Sequence, residues 1–281
     1  MTATQHPDLP VLEPTPGWAT PITSRRALLD TDFGQMHVRM TGDPDHPAPP
    51  LLLVHQTPSS SREWMRAAVR LGPRRCIVPD LMGLGFSDPA PHAMSLSDHA
   101  TAVLQAVSEL TGEWVAIGHH TGAVVATAVA GAQPAATTGL GIIGYPLYDG
   151  WRVRYERLSN CTAAHYDEDA VADLWRRTAS SYADGVAEDV VLEAVSDKLL
   201  AGVVWYGTYV ALWTSDLVEV ARRAAGRPAV VLAPEGDGLS RFAPRVAELL
   251  GARLVPMAGG ARILTDDPDA VVGALAPLLG S

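Results

Sequence analysis

The sequence predicts an α/β protein whose mostly parallel central sheet is covered by helices on both faces and interrupted by one helical insertion. Two observations predict it. Short, fully apolar runs such as Leu51-Leu52-Leu53-Val54, Cys76-Ile77-Val78 and Ala229-Val230-Val231-Leu232-Ala233 alternate with longer stretches of helical period. That rhythm stops from Tyr145 to Asp216, where helical periodicity dominates, and then resumes.

The elements follow in order. Residues 1–24 read as an N-terminal arm, and residues 25–144 with 217–281 as the core. Residues 145–216 read as a helical cap. Ala27–Thr31 and Met36–Met40 pair around a turn at Asp32-Phe33-Gly34-Gln35. Leu51–His55 is a buried strand, and Ser60 to Arg70 a helix opened by a serine cap. Cys76–Pro79 is the next strand and Ser95–Leu110 an amphipathic helix. Trp114–Ile117 and Leu140–Gly144 are buried strands flanking a helix that begins near Ala123. After the insertion come strand 229–233, helix 240–250, strand 253–257 and helix 267–279.

Composition bounds the function. The chain has 281 residues, 47% hydrophobic and 19% charged, enough to bury a core. A net charge of −10 argues against nucleic-acid and anionic-membrane partners, both of which need basic patches. Residues 1–18 are proline-rich with no apolar core, so they read as neither signal nor transit peptide. No apolar run reaches spanning length. The only cysteines, Cys76 and Cys161, make a disulfide framework improbable and fit a reducing cytoplasm.

The most informative segment is Gly118-His119-His120-Thr121-Gly122, set between a strand and a helix. That context matches a nucleophile elbow, G-x-S-x-G, whose middle residue sits on a tight strand-to-helix turn. Here the middle residue is His120. The expectation is a strained turn at the carboxyl edge of the sheet, with the His120 ring in the largest pocket.

With three further segments, the chain resembles the α/β-hydrolase superfamily over about residues 25–280. Leu52-Leu53-Val54-His55-Gln56-Thr57-Pro58 is similar to the family's strand ending in His-Gly-x-Pro. Pro79-Asp80-Leu81-Met82-Gly83-Leu84-Gly85-Phe86-Ser87-Asp88 is similar to its Pro-Asp-x-x-Gly-x-Gly-x-Ser loop. Pro234-Glu235-Gly236-Asp237 is similar to the loop that bears the acid. The resemblance implies an α/β-hydrolase fold with a cap. It also implies an oxyanion hole built from the backbone N–H groups of Thr57 and Thr121.

The departures set the chemistry. The family pattern has serine at the elbow and a histidine near the C-terminus. The last histidine here is His165, and the family's base position holds Ala261 or Arg262. Neither takes a proton from a hydroxyl. His120 itself is a candidate general base, general acid or nucleophile, against the reading that it fills space. Asp237 is open to pairing with Arg262, to contact with His120, or to solvation. Contact with His120 would raise that imidazole's basicity. Glu235 is the spare acid. Gln56 either donates a third hydrogen bond or braces its loop. His55 and His119 read as structural braces. Two adjacent histidines on a sharp turn are expected to point apart, and no metal-binding spacing is present, so neither a metal nor another cofactor is expected. Trp205, Tyr209 and Trp213 recur at helical spacing and are candidate pocket residues, with Arg262 beside them.

The leading expectation is a cofactor-independent enzyme acting on a small carbonyl- or carboxylate-bearing molecule. His120 would move a proton while Thr57 and Thr121 hold an enolate-like oxygen. Elimination, decarboxylation, isomerisation and cyclisation all fit. Superfamily members with altered triads include lyases and cyclases that tailor natural products, which is what the resemblance implies. The alternatives are a hydrolase using His120 as nucleophile or water-activating base, and a non-catalytic ligand-binding protein on the same fold.

Overall fold

The computed structural model describes residues 22–90, 93–147, 167–202 and 205–280, without the side chain of residue 205. Eight strands form one sheet: β1 (Arg25–Thr31), β2 (Gly34–Thr41), β3 (Leu51–Val54), β4 (Cys76–Pro79), β5 (Trp114–His119), β6 (Thr137–Ile143), β7 (Ala229–Pro234) and β8 (Arg253–Met257). Their spatial order is β1-β2-β4-β3-β5-β6-β7-β8. The pairings of β1 with β2 and of β2 with β4 are antiparallel, and the rest are parallel.

The apolar runs are continuous because each central strand is buried on both faces. Leu51 and Leu53 point into one core with Trp64, Met65, Leu275 and Leu278. Leu52 and Val54 point into the other with Val103, Val124, Val125 and Val246. Helices α1 (Met65–Arg70), α9 (Ile263–Asp266) and α10 (Pro268–Leu279) cover the first face. Helices α2 (Leu96–Ser108), α3 (Thr121–Ala132), α7 (Leu217–Arg223) and α8 (Ala243–Leu250) cover the second. A capping box between Ser95 and Asp98 opens α2. The expected helix from Ser60 begins instead as a 3-10 turn, Ser61–Trp64, continued by α1. Asp80 takes the Ser61 N–H at 2.5 Å and anchors that first turn.

Between β6 and β7 the chain carries α4 (Glu168–Ala179), α5 (Glu188–Ala201) and α6 (Trp205–Trp213). Two contacts tie these helices to the loop after β3. Asp197 of α5 accepts from Ser60 Oγ at 2.8 Å and pairs with the Arg62 guanidinium. Tyr209 of α6 donates its hydroxyl to the Thr57 carbonyl at 2.8 Å. None of the described helices is long and apolar enough to cross a membrane.

Candidate active site

Three parallel strands, β5, β6 and β7, end side by side, and the residues just beyond them converge. This is the carboxyl edge, where open α/β sheets place ligand sites. His120 follows β5 with φ 50° and ψ −111°, the only non-glycine residue with positive φ among the described residues. Such backbone strain costs ~1–3 kcal/mol and persists only where the surroundings impose it. Here they do. A Cβ at Gly118 would lie 2.2 Å from the Gly122 carbonyl oxygen, and one at Gly122 would lie 2.2 Å from that of Val54. The His120 N–H is held by the Ile143 carbonyl at 2.8 Å.

Asp237, in the loop after β7, meets the His120 ring. Its Oδ2 lies 2.8 Å from His120 Nε2, and its Oδ1 accepts the Leu239 N–H at 2.9 Å. Of the three fates open to Asp237, contact with His120 is the one adopted. Gly144, at the end of β6, makes room for the pair. A Cβ there would fall 2.3 Å from His120 Cδ2 and 2.9 Å from Asp237 Oδ2.

Asp237 does pull the imidazole toward greater basicity, but it does not decide the net shift. Burial and the neighbouring His119 ring lower the His120 pKa, and together they outweigh the upward pull of Asp237. Burial works to raise the Asp237 carboxyl, but its hydrogen bond to His120 and the His120 charge leave it below its ordinary value. An ionised Asp237 only accepts, so Nε2 carries the ring proton and the lone pair sits on Nδ1. Nδ1 has no hydrogen-bond partner among the described residues, and it is not one of the sealed polar atoms.

His119 and Gln56 turn out to share one partner that the sequence did not single out. Glu63 is buried and accepts from the Gln56 N–H at 2.8 Å, from Gln56 Nε2 at 2.5 Å and from His119 Nδ1 at 2.9 Å. Burial opposes its charge, but His119 and the Gln56 N–H hold its pKa down to about 2. Gln56 therefore braces its loop. His55 is a brace as well: Nε2 accepts the Leu81 N–H at 3.0 Å, which leaves Nδ1 to donate to the Gln56 carbonyl at 2.7 Å. The two elbow histidines do not point apart. Their ring centroids are 4.2 Å from each other, because the strained turn folds His120 back beside His119.

The backbone N–H groups of Thr57 and Thr121 meet no acceptor among the described residues. Thr121 opens α3, where helix N–H groups lack intrahelical partners. His120, Thr121, Pro146, Tyr209, Trp213 and Leu239 line a cavity of about 160 Å³. It is not the largest: a cleft of about 400 Å³ lies by Arg25, Gly42 and Arg75. Tyr209 and Trp213 stand 5.5 Å apart by ring centroids. The Trp205 side chain and His165 lie outside the described residues. Arg262 is placed elsewhere. Its Nε donates to Ser181 Oγ at 3.1 Å, its guanidinium lies 5.1 Å from the Tyr182 ring centroid, and it borders a separate small cavity with Lys198 and Glu193.

Residues 49–137 match a family model described as the α/β hydrolase fold. Over 101 residues the chain is 36% identical to LipZ of Mycobacterium tuberculosis, named as a hydrolase. That match covers 35% of this chain and spans about a third of the relative, 34% of its length. Solved structures align over nearly the whole chain. A hydrolase from Pseudomonas aeruginosa aligns with a TM-score of 0.72 at 21% identity, covering 92% of this chain and 98% of its own. The enol-lactonase from Burkholderia xenovorans aligns at 0.71 with 15% identity, covering 88% and 96%. The thioesterase domain from the curacin biosynthetic pathway aligns at 0.70 with 18% identity, covering 90% and 99%. The fold is the α/β-hydrolase fold. Within the α/β-hydrolase fold, His120 occupies the elbow and Asp237 the loop after β7, so their meeting joins two positions that the sequence order keeps far apart.

Proposed function

We propose that this protein is an enzyme acting on a small carbonyl-bearing molecule, with His120 as general base. The observation that carries this reading is the 2.8 Å contact between His120 Nε2 and Asp237, which leaves Nδ1, on a ring that borders the cavity, without a partner among the described residues. The carbonyl oxygen sits against the Thr57 and Thr121 N–H groups, each such donor supplying ~2.7–4 kcal/mol to a developing oxyanion. Nδ1 removes a proton from the carbon beside that carbonyl, and the enolate is held by the two N–H groups. The lowered His120 pKa keeps the ring neutral and ready to accept. Tyr209 and Trp213 supply an apolar wall that suits a flat substrate. Elimination, isomerisation and cyclisation share this first step, and decarboxylation reaches the same enolate by losing carbon dioxide instead of a proton. No cofactor takes part in it.

A second reading is favoured by the names of the similar proteins, which include a hydrolase, an enol-lactonase and a thioesterase. In it, Nδ1 activates a water or attacks an ester or lactone directly. The two readings part on one measurement. Incubation with small ketones and keto acids in deuterated water incorporates deuterium beside the carbonyl if carbon acid chemistry occurs, and His120→Ala abolishes it. Hydrolysis of esters or lactones without such exchange, lost in His120→Ala, moves the assignment to the second reading. Tight ligand binding without turnover leaves the binding-protein alternative. Fluorophosphonate probes are expected not to label the protein, since the elbow holds no serine.

A further inference from the structure

His119 poses a problem that the base reading does not use. Its side chain is 0% exposed, and Nε2 is buried without a hydrogen-bond partner. Buried polar atoms are rarely left so. Its other nitrogen, Nδ1, meets Glu63 Oε1 at 2.9 Å. A histidine that gives one ring N–H to a carboxylate and keeps the other nitrogen free is the usual arrangement of a metal-binding imidazole.

The neighbours complete the pattern. One ring nitrogen of His119, one of His120 and a carboxylate oxygen of Asp237 all lie within 4.8 Å of one another. Ligand atoms around a tetrahedral zinc ion, bound at ~2.0–2.2 Å, stand ~3.4 Å apart. Glu63 and Asp237 together carry two negative charges at the site, which a divalent cation neutralises.

We propose that His119, His120 and Asp237 form a binding site for one divalent transition-metal ion of the zinc class, oriented from behind by Glu63. Nδ1 of His119 is engaged by Glu63, so Nε2 is the nitrogen it offers. The ion takes the place of the proton between His120 Nε2 and Asp237 Oδ2. That proton moves to His120 Nδ1, so the ring binds metal as a neutral ligand. Of the three ligands, His120 lines the cavity. Metal occupancy then regulates the site: Nδ1 holds a proton and no longer accepts one. This last consequence rests on the base reading, and the binding itself does not.

The test is a titration of the full chain with Zn²⁺ in competition with a chromophoric zinc chelator at neutral pH. One equivalent is expected to be retained. Asp237→Asn and His119→Gln are expected to abolish retention, and Glu63→Gln to weaken it ~10–100-fold. His46→Gln, outside the site, is expected to leave retention unchanged. Should the substitutions at buried His119 or Glu63 prevent folding, Asp237→Asn decides alone, with far-UV circular dichroism confirming its fold. Absence of retained zinc, or retention indifferent to Asp237→Asn, overturns the site. Zinc retained at the site with turnover unaffected overturns the base reading and leaves the metal site standing.

Discussion

Among the described residues, two histidine–aspartate pairs have the same length and different surroundings. His120–Asp237 and His37–Asp80 are both closed at 2.8 Å. The His37 side chain is 6% exposed and Asp80 is sealed, whereas the His120 side chain keeps 18%. His37 sits on the regular strand β2, and Asp80 also takes the N–H groups of Ser61 and Phe86. His120 sits on strained backbone beside a cavity. Distance therefore does not separate a brace from the pair proposed as reactive. Access and backbone strain do.

Breaking each pair should give opposite phenotypes. His120→Ala is expected to lower turnover by ~10²–10⁴-fold with little change in melting temperature. Asp80→Ala is expected to destabilise the fold by ~3–5 kcal/mol, because it strands His37 and the N–H groups of Ser61 and Phe86. Steady-state kinetics beside chemical denaturation of both variants checks the contrast. Equal stability losses in the two would erase it. Asp237→Asn is expected to lower turnover by less than His120→Ala, since the base remains but loses the carboxylate that fixes its tautomer.

Acid sharpens the comparison further. Burial opposes the Asp80 charge, but the His37 hydrogen bond and the Phe86 and Ser61 N–H groups hold its pKa down to about 2, from an ordinary 3.8. The folded value is depressed, so Asp80 stabilises the fold fully above the unfolded value. That contribution is lost as pH falls from 3.8 toward about 2. Denaturation midpoints measured across that window should fall more steeply for the wild type than for Asp80→Asn, in which Glu63, also held down to about 2, still titrates. The smallest effect is expected from Tyr209→Phe, which removes the hydroxyl contact to Thr57 and costs ~1 kcal/mol.

Much of this was legible in the sequence where the signal is local. The apolar strand runs, the glycines around His120 and the loop of Asp237 all announce themselves within a few residues. The partnerships of Glu63, His37 and Gly144 do not. Glu63 reads as an ordinary helix carboxylate until the fold carries His119 to it across 56 positions. Gly144 matters through the volume it leaves empty beside His120. Contact with Asp237 implies a more basic imidazole, but burial and His119 reverse the sign, and both need the packed site to act. Arg262 reads as a candidate partner for Asp237, yet its side chain turns to Ser181 and Tyr182.

The glycine pair around the elbow has a consequence for engineering. Gly118 and Gly122 set the path of the chain by backbone contact alone, and His120 makes no side-chain cap to α3. The turn thus works as a socket that does not depend on what is plugged into it. Libraries that vary position 120 together with 237 and 144 should sample new reacting groups on an unchanged frame, whereas one methyl group at either flanking glycine should break the frame for every member.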